Sequence, residues 1–166
     1  MEIKSVTEFV KYYKRTREIT NRVVEVIPPD TIDWSYAPGK FTVGDLVRHI
    51  AAIERQLFMQ VIQGEKSCYT GCGKELADGY DNIVSYFHEM HRQSLDILQT
   101  FSDEDLSRVV KTLDGKTTTA GNFLRALIVH EVHHRGVLVI YLNLLGVNTP
   151  PVIGLTEQQV IEAGRN

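Results

Sequence analysis

Cysteine is scarce in this chain: Cys68 and Cys72 are the only two in 166 residues. Two are too few for a disulfide framework, and their C-x3-C spacing is not the C-x2-C of redox and zinc motifs. Free thiols are therefore expected in the glycine-bearing loop Ser67 to Lys74, with pairing or a second metal as the minor alternative. Long apolar runs are missing as well. No stretch approaches the ~20 apolar residues of a membrane span, and the opening Met-Glu-Ile-Lys has no apolar core of a signal peptide. The expectation is a protein of the cytoplasm with no membrane partner. Charge of one sign is lacking too: the formal net charge is -3, with acids and bases interspersed. That excludes the electrostatic footprint of a nucleic-acid binder. The most basic stretch, Lys11, Lys14, Arg15, Arg17 and Arg22, is broken by Glu8, Glu18 and Glu25 and reads as a solvated helix face.

What is present is enough apolar content, 43%, for one ordinary core, so residues 1–166 read as a single domain. After the capping-box pattern Ser5-Val-Thr-Glu8, residues Phe9, Tyr12, Thr16, Ile19, Val23 and Val26 recur at helical spacing up to Pro28-Pro29. The segment Asp30 to Lys40 has no period and reads as an ordered loop whose Trp34 packs on the core. Thr42-Val-Gly-Asp45 repeats the capping logic ahead of a stripe of Leu46, Ile50, Ile53, Leu57 and Val61, with Gly64 as the stop. A third helix runs from about Asp78 to Gln99, with Ile83, Phe87, Met90 and Ile97 on one face, and Ser102-Asp-Glu-Asp105 opens a short turn. Arg108 to Lys116 has the local look of a hairpin around Asp114-Gly115, but a lone hairpin is marginal and a loop is expected. The last long helix extends from near Thr119 to Leu145 and is closed by Gly146 and Pro150-Pro151; Thr156-Glu-Gln-Gln opens a short tail helix. Four long amphipathic helices make an all-α four-helix bundle.

The chemistry lies on the last long helix. Phe123, Leu127, His130, His134, Val137, Tyr141 and Leu144 follow one another at alternating spacings of four and three, which places two histidines on the predicted buried seam. An imidazole buried without a partner costs about 1–3 kcal/mol. An i, i+4 histidine pair projects two ring nitrogens to one point, and a metal is the economical partner. His49, at the margin of the second helix's stripe, supplies the third ligand. Three imidazoles with an open position fit a catalytic rather than a closed structural site, with zinc first and nickel or another late first-row ion next. His88 and His91 have surface-like neighbours and His133 lies on another face, so none of these is expected to bind. His130-Glu131-Val-His-His134 also matches H-E-x-x-H literally, which offers Glu131 as a base on a metal-bound water or as a partner orienting a ligand ring. The plainer reading is an exposed salt bridge from Glu131 to Arg135.

Two motifs occur together: Gly39-Lys-Phe-Thr-Val-Gly-Asp-Leu-Val-Arg-His49 after Trp34 and Pro38, and His130-Glu-Val-His-His134-Arg-Gly136 some 80 residues later. This joint pattern resembles the DinB/YfiT-like superfamily and covers nearly the whole chain. The resemblance implies up-down-down-up connectivity, commonly a homodimer, and one divalent metal on residues that map to His49, His130 and His134. Val137 stands where the family often has a polar residue after Arg-Gly. Gly136 is expected to let a neighbouring helix come close.

The superfamily includes transferases and isomerases that use a low-molecular-weight thiol, so the resemblance implies a metal-dependent thiol transferase acting on a small-molecule substrate, in detoxification or stress response. The alternatives are a hydrolase using a metal-bound water, in which Glu131 matters, and a non-catalytic stress-induced scaffold. Tyr12, Tyr86 and Arg135 are the candidate pocket residues.

Overall fold

The computed structural model describes residues 3–152 and 154–165. Ser5 caps the first helix, α1 (Val6–Val24), its side chain accepting from the Glu8 amide at 3.5 Å. The second orphan donor of this end goes elsewhere: the Val6 amide donates to Asp103 Oδ1 at 2.7 Å, 97 residues away in sequence. The expected stripe is rotated. Tyr12 is 58% exposed, and the buried line is Phe9, Tyr13, Thr16, Arg17, Thr20, Val23 and Val24. Arg17 is thus a core residue rather than part of a solvated face.

The capping box at Thr42 is complete, with Oγ1 accepting from the Asp45 amide at 3.0 Å and Asp45 Oδ2 accepting from the Thr42 amide at 2.9 Å. It opens α2 (Val43–Ile53), which runs straight into a π-helical turn, Glu54–Met59, and then α3 (Gln60–Gln63), stopped at Gly64 with φ +85°. The wide turn shifts the helical register. Leu57, expected on the stripe, is only partly buried, while Phe58, Met59, Val61 and Ile62 enter the core, and Glu54 is fully enclosed.

The next long helix is α4 (Tyr80–Leu98). Its pairings with the second helix rise together in sequence, Gly44 beside Ile83, Glu54 with His91 and Arg55 with Gln93, so the two run parallel. The 16-residue connection 64–79 is what a parallel return demands. The hairpin is real: β1 (Val109–Lys111) pairs antiparallel with β2 (Thr117–Thr119), turning at Gly115 with φ +83°. It survives because it is not alone. Val110 is buried in the core and the Ala120 amide donates to Arg108 O at 2.9 Å, handing the strand on to α5 (Ala120–Leu144).

α5 runs parallel to α1, with Phe9 near Ile128 and Thr16 bonded to Arg135, and antiparallel to the second helix, with Phe58 on Phe123 and His49 on His130 and His134. The four long helices therefore form an up-down-down-up bundle, and a short α6 (Glu157–Ala163) follows. Trp34 packs edge-on against Tyr141, centroids 5.4 Å apart. Close backbone approach occurs at Gly44, where a Cβ would lie 3.0 Å from Ile83 Cδ1 and 3.1 Å from Ile32 O. It does not occur at Gly136, which faces open space. No helix among the described residues is long and apolar enough to cross a membrane.

The apolar core is in two halves. Phe9, Tyr13, Met59, Leu98 and Leu124 belong to one, and Val23, Ile50, Phe87, Leu138 and Leu142 to the other. Each fully buried large side chain contributes about 1.5–3 kcal/mol. A polar layer containing Arg17, Thr20, Glu54, Glu131 and Arg135 lies between them at mid-height.

Candidate metal centre

The three histidines converge at that same mid-height on the side where α2 meets α5. His49, His130 and His134 each offer one ring nitrogen, and these lie within 4.8 Å of one another. His130 Nε2 is 3.1 Å from His49 Nε2, and the His49 ring centroid is 4.4 Å from that of His134. They are half-buried rather than central. The midline of α5 runs through Leu124, Leu127, Ile128, Glu131, Arg135, Leu138 and Leu142, and the histidines flank it.

Burial sets their protonation. Loss of water, followed by the adjoining His134 and His49, lowers His130 to about 3. Burial and His49 lower His134 to about 4, and burial also lowers His49. All three are neutral near pH 7 and carry lone pairs, which is the form a metal requires. Nδ1 of His130 and Nδ1 of His134 are buried without a hydrogen-bond partner among the described residues. The converging, neutral ring nitrogens, all within 4.8 Å of one another, fit a divalent late first-row ion, whose metal–nitrogen bonds are about 2.0–2.1 Å. Among the described residues these three alone form such a cluster, and His88, His91 and His133 lie outside it.

Glu131 is placed differently from either expectation. It is 1% exposed, so it is no surface salt bridge, and both its oxygens are engaged by α1: Oε2 by Arg17 Nη2 at 3.0 Å and Oε1 by Thr20 Oγ1 at 2.6 Å. Arg135 does not donate to it but reaches Thr16 O at 3.3 Å and Thr20 Oγ1 at 3.4 Å. Arg17 Nη2 also donates to Glu54 Oε2 at 2.5 Å, and the guanidinium sits over the Phe87 ring at 4.4 Å. Burial opposes that charge, but Glu131 and Glu54 outweigh it and keep the guanidinium protonated. Burial likewise opposes the Glu54 carboxylate, and Arg17 with His91, whose Nδ1 is 2.9 Å from Glu54 Oε1, overcomes it and lowers the pKa. This layer was missed at the sequence level because Arg and Glu are rarely enclosed. A signal existed in Tyr13, Arg17, Thr20 and Val24, which keep helical spacing as well as the stripe that was read.

A cleft of about 340 Å³ opens beside His134, walled by Tyr36, Phe41, Leu46, Val137 and Tyr141, with Lys40 on its lining. The Phe41 ring lies 5.1 Å from that of His49. Of the expected pocket residues, Tyr12 lines a separate groove with Phe9 and Val129, Arg135 is enclosed against α1, and Tyr86 is half-buried beside Gln56.

The DinB superfamily model matches residues 12–138. YjoA of Bacillus subtilis (strain 168) is 25% identical over 142 residues, which is 84% of this chain and 90% of that protein. Its crystal structure, a DinB-like protein, superposes with a TM-score of 0.70 at 23% identity, covering 87% of this chain and 96% of that one. YfiT of Bacillus subtilis, described as a probable metal-dependent hydrolase with an unusual four-helix bundle topology, superposes with a TM-score of 0.64 at 18% identity, covering 86% of this chain and 89% of that one. The mycothiol-dependent maleylpyruvate isomerase superposes with a TM-score of 0.51 at 18% identity, covering 82% of this chain and 63% of the longer isomerase.

Proposed function

The chain belongs to the DinB superfamily, and on that basis we propose that it is a metal-dependent transferase in which His49, His130 and His134 hold one zinc or nickel ion for a low-molecular-weight thiol. Bound there, the ion supplies a Lewis acid that lowers the pKa of a sulfur or water ligand at the position the histidines leave free. The chain's own residues hold three neutral imidazoles in place, and Tyr36, Phe41, Leu46, Val137 and Tyr141 offer an apolar wall in the adjoining open cleft for a small electrophile. A thiolate attacks the electrophilic carbon, the C–S bond forms as the leaving group departs with its electron pair, and the thiol proton passes to solvent. The mycothiol-dependent isomerase on the same fold supports a thiol as co-substrate.

One observation separates this from hydrolysis. A hydrolase with Glu131 as the base for its water is disfavoured, because both oxygens of that carboxylate are committed to Arg17 and Thr20, and a water would have the ion's acidification alone. A thiol, already acidic beside a metal, needs no such base. YfiT's description favours hydrolysis as the second reading. The two are told apart by zinc- or nickel-loaded protein given bacillithiol, mycothiol or glutathione with 1-chloro-2,4-dinitrobenzene, in parallel with p-nitrophenyl esters. Thiol-dependent chloride release without ester cleavage supports the transferase, and ester cleavage without thiol dependence supports the hydrolase.

A further inference from the structure

The loop after Gly64 does more than return the chain. One end is fastened to the π-helical turn, with Ser67 Oγ and the Cys68 amide donating to Gln56 O at 2.9 and 3.1 Å, and the Cys68 amide also to Gln60 Oε1 at 2.7 Å. The other end is fastened to Arg48, a 1% exposed side chain whose Nε donates to Cys72 O at 2.8 Å and whose Nη1 donates to Ala77 O at 3.0 Å. Between these anchors the Tyr69 hydroxyl sits 2.9 Å from His49 Nδ1, with the two rings edge-on. The Cys72 thiol, which is buried, lies near the same hydroxyl.

A phenol has one proton to give. It need not be given to His49: an Nε2 that binds an ion is bare, so Nδ1 carries the hydrogen, and the Tyr69 oxygen 2.9 Å away accepts it. Nε2 is the nitrogen turned toward His130. Of the three clustered histidines, His49 alone has its other nitrogen partnered, since Nδ1 of His130 and of His134 have none among the described residues. We propose that Tyr69 is a positioning residue for the metal centre: it accepts the Nδ1 hydrogen of His49 and fixes the ring as the Nε2-ligating tautomer. This rests on the metal reading above and adds to it an outer partner drawn from a loop rather than a bundle helix. Partners of this kind affect metal affinity by about 10- to 100-fold.

The test has two readouts on the full-length protein. Long-range 1H–15N spectra of the metal-free form report the His49 tautomer, and competition with a chromophoric chelator reports zinc affinity. The wild type is expected to show His49 as Nδ1–H. Tyr69→Phe is expected to mix the tautomers and weaken zinc binding about 10- to 100-fold, with the metal-free melting curve unchanged. A His49 found as Nε2–H, or equal zinc affinity in wild type and Tyr69→Phe, overturns Tyr69's role alone. A His49 held as Nδ1–H in a wild type that takes up no zinc overturns the metal reading, and Tyr69's role toward a ligand with it.

Discussion

Arg17 Nη2 lies 3.0 Å from Glu131 Oε2 in the enclosed centre of the bundle, while His130, the residue before Glu131, turns away to meet His49 at 3.1 Å. Two consecutive residues on α5 thus serve different neighbours: one ties the helix to α1 and the other faces the histidine cluster. The H-E-x-x-H string is therefore a structural position beside one that faces the histidine cluster.

Removing one partner of a buried ion pair strands the other charge and costs about 3–5 kcal/mol. Glu131→Ala is expected to lower unfolding stability by that order in urea titrations, and Glu54→Ala comparably, since both leave Arg17 short of a carboxylate. A loss below about 1 kcal/mol, the level of exposed pairs, would contradict the burial described.

The glycines on facing helices separate by sign. Gly44→Ala places a methyl 3.0 Å from Ile83 Cδ1 and 3.1 Å from a backbone oxygen, and is expected to destabilise by about 1–3 kcal/mol. Gly136→Ala meets nothing within 4 Å on a helix and is expected to stabilise by roughly 0.5–1 kcal/mol through helix propensity. Thermal melts of the two variants should move in opposite directions.

For the metal-free protein, stability is expected to fall as pH drops below the unfolded imidazole value of 6.5, because unfolded histidines bind protons that His130, near 3, and His134, near 4, do not. This contribution is fully present above 6.5 and is lost progressively toward pH 4. Glu54, with its folded pKa lowered, adds a second loss below its ordinary 4.5. Urea midpoints measured from pH 8 to 4 check the sign, and the decline above pH 5 should shrink in the triple alanine variant of His49, His130 and His134 to the part that His88, also lowered by burial, contributes.

Zinc at about 100 times its Kd adds about 2.7 kcal/mol to a folded state that alone binds it, and a chelator reverses this. Differential scanning calorimetry with and without EDTA is expected to show that shift in the wild type only. A large shift accompanied by no thiol-dependent turnover would favour a scaffold over an enzyme.

Much of this was legible in advance. Capping at Ser5, Thr42 and Thr156 and the stops at Gly64 and Gly146 are local signals that appear where spacing placed them, and the i, i+4 pair His130 and His134 does converge with His49, though beside the buried seam rather than on it. The misreadings share a cause: tertiary context overrode a local rule. Arg17 and Glu54 are enclosed because each is the other's partner, which no periodicity count can see. The π-helical turn at Glu54–Met59 moves the register by accommodating that carboxylate in the core, so Leu57 gives way to Phe58. The hairpin at Val109–Thr119 holds because Val110 reaches the core. Tyr69 was passed over because a loop tyrosine carries no spacing signal, and only the return of the loop brings it to His49.

The most direct test of the account is elemental analysis of the purified protein, before and after zinc or nickel reconstitution, alongside the triple replacement of His49, His130 and His134 by Ala. The account predicts one ion per chain in the wild type and none in the variant. A wild type that holds no metal even after reconstitution, or a variant that binds it equally well, would contradict it.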